Sequence, residues 1–133
     1  MKKFLLIIVA LVVNLNSSLA QEYSKAYFAG GCFWCVEEYF DDQLGVISTI
    51  SGYSGGRTKN PTYKQVTFED TGHVETVEVT YDSTRVNYEE LMNLHLSNID
   101  LFDDTGQFCD KGKSYRSVIF FQTQPEKESI DKS

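Results

Sequence analysis

The chain has 133 residues, 41% of them hydrophobic and 14% aromatic, which is enough for one domain with a real core and hardly enough for two. A net charge of −7 argues against nucleic acid as a partner. There is no block of Lys and Arg, no low-complexity stretch and no internal repeat.

Residues 1–20 read as a secretory signal rather than as part of a fold. Met1-Lys2-Lys3 is a basic start, residues 4–13 are an unbroken apolar run, and Ser18-Leu19-Ala20 puts small residues where a signal peptidase reads. The run is too short to span a bilayer ~30 Å thick, and no cysteine follows Ala20 to carry a lipid. Cleavage after Ala20 is expected, with a secreted or periplasmic domain over residues 21–133. Its three cysteines leave at least one thiol outside any intramolecular pair.

Taken in order, residues 26–29 predict a first strand. Gly30 and Gly31 turn the chain. Residues 33–44 predict a helix with Val36, Tyr39, Phe40 and Leu44 as its apolar stripe, and Gly45 ends it. Residues 46–53 are β-branched and aromatic and predict a second strand; residues 54–59 are a loop. Asn60 and Pro61 look like the cap and first position of a short helix reaching residue 68. Residues 70–72 turn into the clearest strand, 73–81. Asn87 with Glu90 opens a further helix as a capping box, packed through Leu91, Leu94, His95 and Ile99. Residues 100–114 form a long polar loop, too long to be passive. Residues 117–122 predict the last strand, and a polar tail of helix-forming composition follows. With the short helix as an insertion, the order is βαββαβ. It predicts an α+β two-layer sandwich of ferredoxin-like arrangement, with helices on one face of a mixed or antiparallel sheet.

Chemistry concentrates in Gly30-Gly31-Cys32-Phe33-Trp34-Cys35-Val36-Glu37. A thiol at the start of a helix meets unpaired backbone N–H groups and the positive end of the macrodipole. Both favour a nucleophilic sulfur, and Phe33 and Trp34 set flat apolar surface beside it. Two plainer readings compete: a structural staple between Cys32 and Cys35, and half of a zinc site. Zinc would need Cys32, Cys35, Cys109 and His73 to converge. Their spacing fits no compact metal pattern, so no metal is expected.

In the strand 73–81, His73, Glu75, Val77, Val79 and Tyr81 share one face. Glu75 thus points the same way as two valines. Burial there disfavours the charged carboxylate and suits a general acid. The plainer reading is a strand-end glutamate that reaches solvent. Glu78, on the other face, is expected to be solvated. Tyr63 and Tyr115 lie in or beside loops, where packing is the usual role. Asp110 beside Cys109 reads as a turn former, and His73 and His95 as structural.

Five ordered blocks join that stretch: Gly52-Tyr53-Ser-Gly-Gly56, Asn60-Pro61-Thr62-Tyr63, Thr71-Gly72-His73-Val74-Glu75, Tyr81-Asp82, and the run from Gly106 through Cys109-Asp110 to Tyr115-Arg116-Ser117. Together they closely resemble peptide methionine sulfoxide reductase A, over nearly all of the chain after residue 26. The resemblance implies that Cys32 attacks the sulfur of a methionine-S-sulfoxide, protein-bound or free. Glu75 then protonates the departing oxygen. Tyr63 and Tyr115 hydrogen-bond that oxygen, Asp110 lines the pocket, and Phe33 and Trp34 hold the substrate methyl. No bound cofactor is implied. The sulfenic acid left on Cys32 is resolved by a second thiol, with Cys35 the first candidate and Cys109 close behind. An external dithiol reductant, thioredoxin or an exported equivalent, then opens the disulfide. A monomer is expected. The family continues past the last strand with a full helix and a further stretch, so the resemblance also implies a C-terminally shortened form. The rival functions are a general thiol–disulfide oxidoreductase using Cys32-x-x-Cys35, and an inactive domain stapled by that pair.

Overall fold

The computed structural model describes residues 22–133, and the expected signal sequence lies outside the described residues. The elements are β1 (Tyr23–Ala29), α1 (Phe33–Asp41), β2 (Val46–Ser54), α2 (Tyr63–Phe68), β3 (Val74–Asp82), α3 (Tyr88–Ser97), β4 (Gly106–Gln107), β5 (Asp110–Lys111), a 3₁₀ turn (Lys113–Tyr115), β6 (Val118–Phe120) and α4 (Gln124–Lys132). The main sheet has the order β2-β3-β1-β6. Every neighbouring pair is antiparallel, so the ferredoxin-like expectation holds in its antiparallel form. β1 starts three residues earlier than its apolar run because its register with β3 continues to Tyr23 opposite Asp82.

One core lies between sheet and helices. Phe28 from β1, Val77 and Val79 from β3, Val36 and Phe40 from α1, and Leu91 and Met92 from α3 are almost wholly buried. The Phe28 ring stacks on Phe40 at 5.0 Å and on Tyr88 at 6.0 Å. Burying each such ring is worth roughly 2–3 kcal/mol, which is what fixes α1 and α3 over the sheet.

Several boundaries differ from the expectation, each for a local reason. α1 ends at Asp41, not residue 44, because the Gln43 N–H turns back to the Phe40 carbonyl. Leu44 leaves the apolar stripe and is 71% exposed. Asn60 has a φ of +49° and does not cap α2. Thr62 does: its hydroxyl accepts from the Gln65 N–H, and the Gln65 side chain accepts from the Thr62 N–H. The Asn87–Glu90 capping box on α3 is present as expected. β3 begins at Val74 and leaves His73 outside. The His73 ring instead clamps the 55–58 loop: its Nδ1 accepts from the Gly56 N–H at 3.2 Å, and its Nε2 lies 2.9 Å from the Thr58 carbonyl oxygen. Glu78 is not merely solvated; it pairs with Lys25 at 2.6 Å and accepts from the Tyr27 hydroxyl at 2.9 Å. Val74 and Thr76, which alternate onto the face opposite Glu75, are buried as well.

The long 100–114 loop is ordered by Gln107, which is 1% exposed. Its side-chain oxygen accepts from the Asp100 N–H at 2.6 Å, and its amide donates to the Asp100 carbonyl at 2.8 Å. The β4–β5 hairpin turns through Phe108 at φ +49° and carries Cys109 and Asp110. The C-terminal residues form a regular helix, α4, capped by the Thr123 hydroxyl.

Candidate active site around Cys32

The site is assembled at the junction of β1 and α1. Gly30 and Gly31 allow a close turn that no other residue fits. A Cβ on Gly30 would lie 2.7 Å from the Ile99 Cγ2, and one on Gly31, at φ +87°, would lie 2.8 Å from the Gln107 Cβ. The Gly31 N–H also donates to the Tyr115 carbonyl at 3.1 Å, tying this turn to the 3₁₀ segment. Cys32 follows as the N-cap residue of α1 rather than within its first turn. It is half-buried and its thiol is free.

Glu75 stands directly against that helix start. It is 2% exposed, and its Oε2 accepts the Phe33 N–H at 3.0 Å. That N–H is one of the groups a helix leaves unpaired at its start, so one contact satisfies α1 and positions the carboxyl next to Cys32. Burial pushes the Glu75 carboxyl up from the ordinary carboxylate range. The Phe33 N–H opposes this, and the negative charge of Asp110 adds to it. The solvent-reaching alternative for Glu75 therefore does not hold.

Of the two predicted phenols, Tyr115 lies within electrostatic reach of Glu75, Asp110 and Tyr63. Burial first, then the Tyr63 side chain and the charges of Glu75, Tyr63 and Asp110, push the Tyr115 phenol well up, so it stays a donor. Phe33 is buried, with its ring 5.7 Å from Trp34. Trp34 itself is 71% exposed: Phe33 is a floor and Trp34 an open rim rather than one continuous wall.

Tyr53 has no role on sequence grounds. It lies opposite Glu75 in the β2–β3 register, and its ring is 5.9 Å from Phe33. Burial, followed by the Glu75 and Tyr63 charges, raises its phenol as well. Its place in Gly52-Tyr53-Ser-Gly-Gly56 is visible in the sequence, but the strand pairing that brings it to Glu75 is not.

On the other side of Cys32 opens a cavity of about 660 Å³, onto which Cys32, Cys35, Cys109 and Asp110 all face. Cys35 is exposed, three residues after Cys32 on the same cavity. Partial burial, followed by the neighbouring Cys32, raises the Cys35 thiol. Cys109 is exposed at the hairpin. Among the described residues no three His, Cys, Asp or Glu side chains cluster as metal ligands.

Fold and site together define a class: a two-layer α+β domain whose cysteine, at the N-cap position of a helix, is backed by a buried carboxyl, with two phenols nearby. The chain belongs to the peptide methionine sulfoxide reductase family, whose model matches residues 24–133. It is 47% identical over 113 residues to peptide methionine sulfoxide reductase MsrA of Listeria monocytogenes serotype 4b, a match over 85% of this chain and 64% of that protein. To MsrA of Bacillus licheniformis it is 44% identical over 115 residues, 86% of this chain and 64% of the relative. The chain thus spans about 64% of the length of these relatives. Among solved structures, methionine sulfoxide reductase A of Corynebacterium diphtheriae superposes with a TM-score of 0.76 at 34% identity, over 83% of this chain and 52% of that one. Mxr1 of Saccharomyces cerevisiae in its reduced form gives 0.77 at 27% identity, over 83% and 66%.

Proposed function

We propose that this protein reduces methionine-S-sulfoxide, in oxidised proteins and as the free amino acid, by thiol chemistry at Cys32. The observation that carries this reading is the buried Glu75 carboxyl held by the Phe33 N–H at the Cys32 cap. A sulfoxide oxygen leaves poorly unless protonated. An acid that burial pushes toward its neutral form, with phenols of Tyr63 and Tyr115 as donors, supplies that proton and stabilises the charge that develops on oxygen. The Cys32 sulfur attacks the sulfoxide sulfur, Glu75 delivers its proton to the oxygen, and methionine departs as Cys32 becomes a sulfenic acid. The charge of Asp110 adds to the upward shift of Glu75. Phe33 gives the methyl group an apolar floor and Trp34 a rim.

Cys35 is the resolving thiol in this proposal. It lies three residues after Cys32 at the start of α1 and faces the same cavity; its sulfur attacks the sulfenic sulfur, the S–O bond breaks, and water leaves with the Cys35 proton. Cys109, facing the same cavity, is the second candidate. An external dithiol of the thioredoxin kind then reopens the disulfide. Residues 1–20 direct the chain to a secreted or periplasmic location, where the domain acts as a monomer. A general thiol–disulfide oxidoreductase would have no use for the buried acid and phenols around Cys32, and that disfavours it. The deciding experiment is dithiol-driven reduction of the two separated sulfoxide epimers by the purified chain. The S epimer yields methionine and the R epimer does not. Methionine from neither epimer refutes the reading.

A further inference from the structure

The residues that leave the sheet between β2 and β3 are pinned at their neck by His73. The β2–β3 ladder ends at Ser54 opposite Val74. Residues 55–73 run out to α2, with Tyr63 as its first residue, and back. A carbonyl oxygen can only accept, so the His73 Nε2, 2.9 Å from the Thr58 carbonyl, carries the ring proton. Nδ1 is then a lone pair, and the Gly56 N–H donates to it at 3.2 Å. The neutral ring thus commits both nitrogens to one loop, and only one tautomer does so. Two more bonds close the neck. The Arg57 N–H donates to the Thr71 carbonyl at 2.9 Å, and the His73 N–H to the Thr71 hydroxyl at 3.2 Å. Gly56 lies so close that a Cβ there would sit 2.2 Å from the His73 Cδ2. The charged groups at the neck are Arg57, Asp70 and Lys113; Asp70 pairs with them at 3.6 and 3.2 Å on the exposed surface, where such pairs hold little.

Little else holds α2 in place. It has six residues, of which Val66 alone is buried, and a helix that short is not stable by itself. Tyr63 is 52% exposed, so packing does not fix its phenol; the entry to α2 does. That entry is stiff. Asn60 sits at φ +49°, Pro61 restricts the residue that follows it in the chain's path, and the Thr62–Gln65 capping box closes the helix start. Tyr63 follows Thr58 by five residues, so the hold of His73 on Thr58 reaches it with little slack. At the other end of the clamp, His73 is two residues before Glu75 on the same chain. We propose that His73 is a positioning residue for Tyr63: its clamp on the neck sets where the Tyr63 hydroxyl stands relative to Glu75. The inference rests on the reading of this site as a sulfoxide site, in which Tyr63 donates to the departing oxygen. A donor of this kind gains most as charge grows on the oxygen, so misplacing it slows the reaction more than it weakens binding.

The test is a double-mutant cycle on first-turnover methionine formation from the S epimer, with His73→Leu and Tyr63→Phe made singly and together. Each single substitution should lower the saturating rate about tenfold and leave the half-saturating sulfoxide concentration within about twofold. With Tyr63→Phe already present, His73→Leu should lower the rate by less than about twofold. His73→Gln, whose amide reaches the Nε2 position and donates to the Thr58 carbonyl, should recover the rate to within about threefold of the parent. Should His73→Leu fail to fold, His73→Asn takes its place in the cycle: its amide oxygen still accepts from the Gly56 N–H, but the side chain stops short of Thr58. An equal cost of the His73 substitution with and without the Tyr63 hydroxyl overturns the proposal, because the histidine would then act on the fold and not on the phenol. A weaker hold on sulfoxide at an unchanged saturating rate overturns it too. The tautomer is read on the unsubstituted chain by nitrogen NMR near pH 8; the chain has two histidines, and the His73→Gln spectrum shows which signals belong to His73. A ring protonated at Nε2 is expected, and one protonated at Nδ1 overturns the clamp. Absence of methionine from the unsubstituted chain with either epimer overturns the sulfoxide reading instead, and the ring spectrum still decides the clamp.

Discussion

Replacing Glu75 by Gln separates the acid from its scaffold role. Gln keeps the volume and an oxygen that can accept the Phe33 N–H, now at 3.0 Å from Glu75 Oε2, so the start of α1 is retained. It lacks the transferable proton. Loss of a positioned general acid costs roughly 10²–10⁴-fold in rate, about 3–5 kcal/mol of barrier. Stability should move the other way at neutral pH. The carboxyl is 2% exposed and its pKa is raised by burial. A raised acid contributes its stability below its unfolded pKa, about 4.3, and loses it as pH rises through the folded value. Glu75→Gln should therefore melt at or above the parent temperature at pH 7, with the advantage fading towards pH 4. The assay is single-turnover methionine formation from the S epimer between pH 5 and 9, paired with thermal melts. The parent rate should fall on the alkaline side as Glu75 ionises, and the variant should lack that limb. A Glu75→Gln protein within threefold of the parent, with the same alkaline limb, refutes Glu75 as the acid whatever the melt shows.

Three further outcomes are expected. Cys32→Ser should form no methionine even in the first turnover, while Cys35→Ser should form one equivalent and then stall with a sulfenic acid that dimedone traps; if Cys109→Ser stalls and Cys35→Ser cycles, the resolving role passes to the hairpin cysteine. In the proposed reaction Tyr115 donates to the leaving oxygen, so Tyr115→Phe should cost roughly tenfold or more in the first step, read as methionine per second at saturating sulfoxide. His95 is lowered by burial from 6.5 to about 4; a depressed base confers stability above its unfolded pKa and loses it as pH falls through 4, a span of about 3 kcal/mol. Urea midpoints of the parent should drop between pH 6.5 and 4, and His95→Leu should flatten that limb.

Local signals are legible in the sequence where the physics is local. The Asn87–Glu90 box and the Val77, Val79 and Tyr81 face need only spacing, and both are present. The inward Glu75 follows from the same alternation, and it is buried. Failures come where a distant partner decides. Leu44 fits a helical stripe, but Gly45 must reach φ +97° and its carbonyl accepts from the Asp82 N–H, so the helix stops short. Val74 and Thr76 alternate as solvent-facing residues do, yet both are buried. Glu78 reads as solvated because Lys25 and Tyr27 come from another strand. Tyr53 and Gln107 escape notice for one reason: strand register and a glutamine's two hydrogen bonds to Asp100 are not periodicities.

The Phe33 N–H explains how Glu75 and Cys32 stay in step in the proposed reaction. A carboxyl buried in the sheet would ordinarily be free to adjust its rotamer, and a helix start would ordinarily be capped by a side chain. Here Cys32 makes no side-chain cap, and Glu75 supplies the acceptor instead. The same bond that lowers the Glu75 pKa also fixes where its other oxygen can carry a proton. Burial and Asp110 outweigh it, since the net shift is upward. Removing the bond without removing the carboxyl would therefore raise the acid further but lose its aim. Because the Phe33 N–H is backbone, no ordinary side-chain substitution at Phe33 deletes it, whereas Phe33→Pro would, at the first helical position where proline is tolerated. A Phe33→Pro protein that folds should keep a Cys32 thiol and a buried Glu75, yet lose first-turnover rate beyond what Phe33→Leu loses by truncating the apolar floor. Equal losses in the two variants would show that the floor matters and the tether does not.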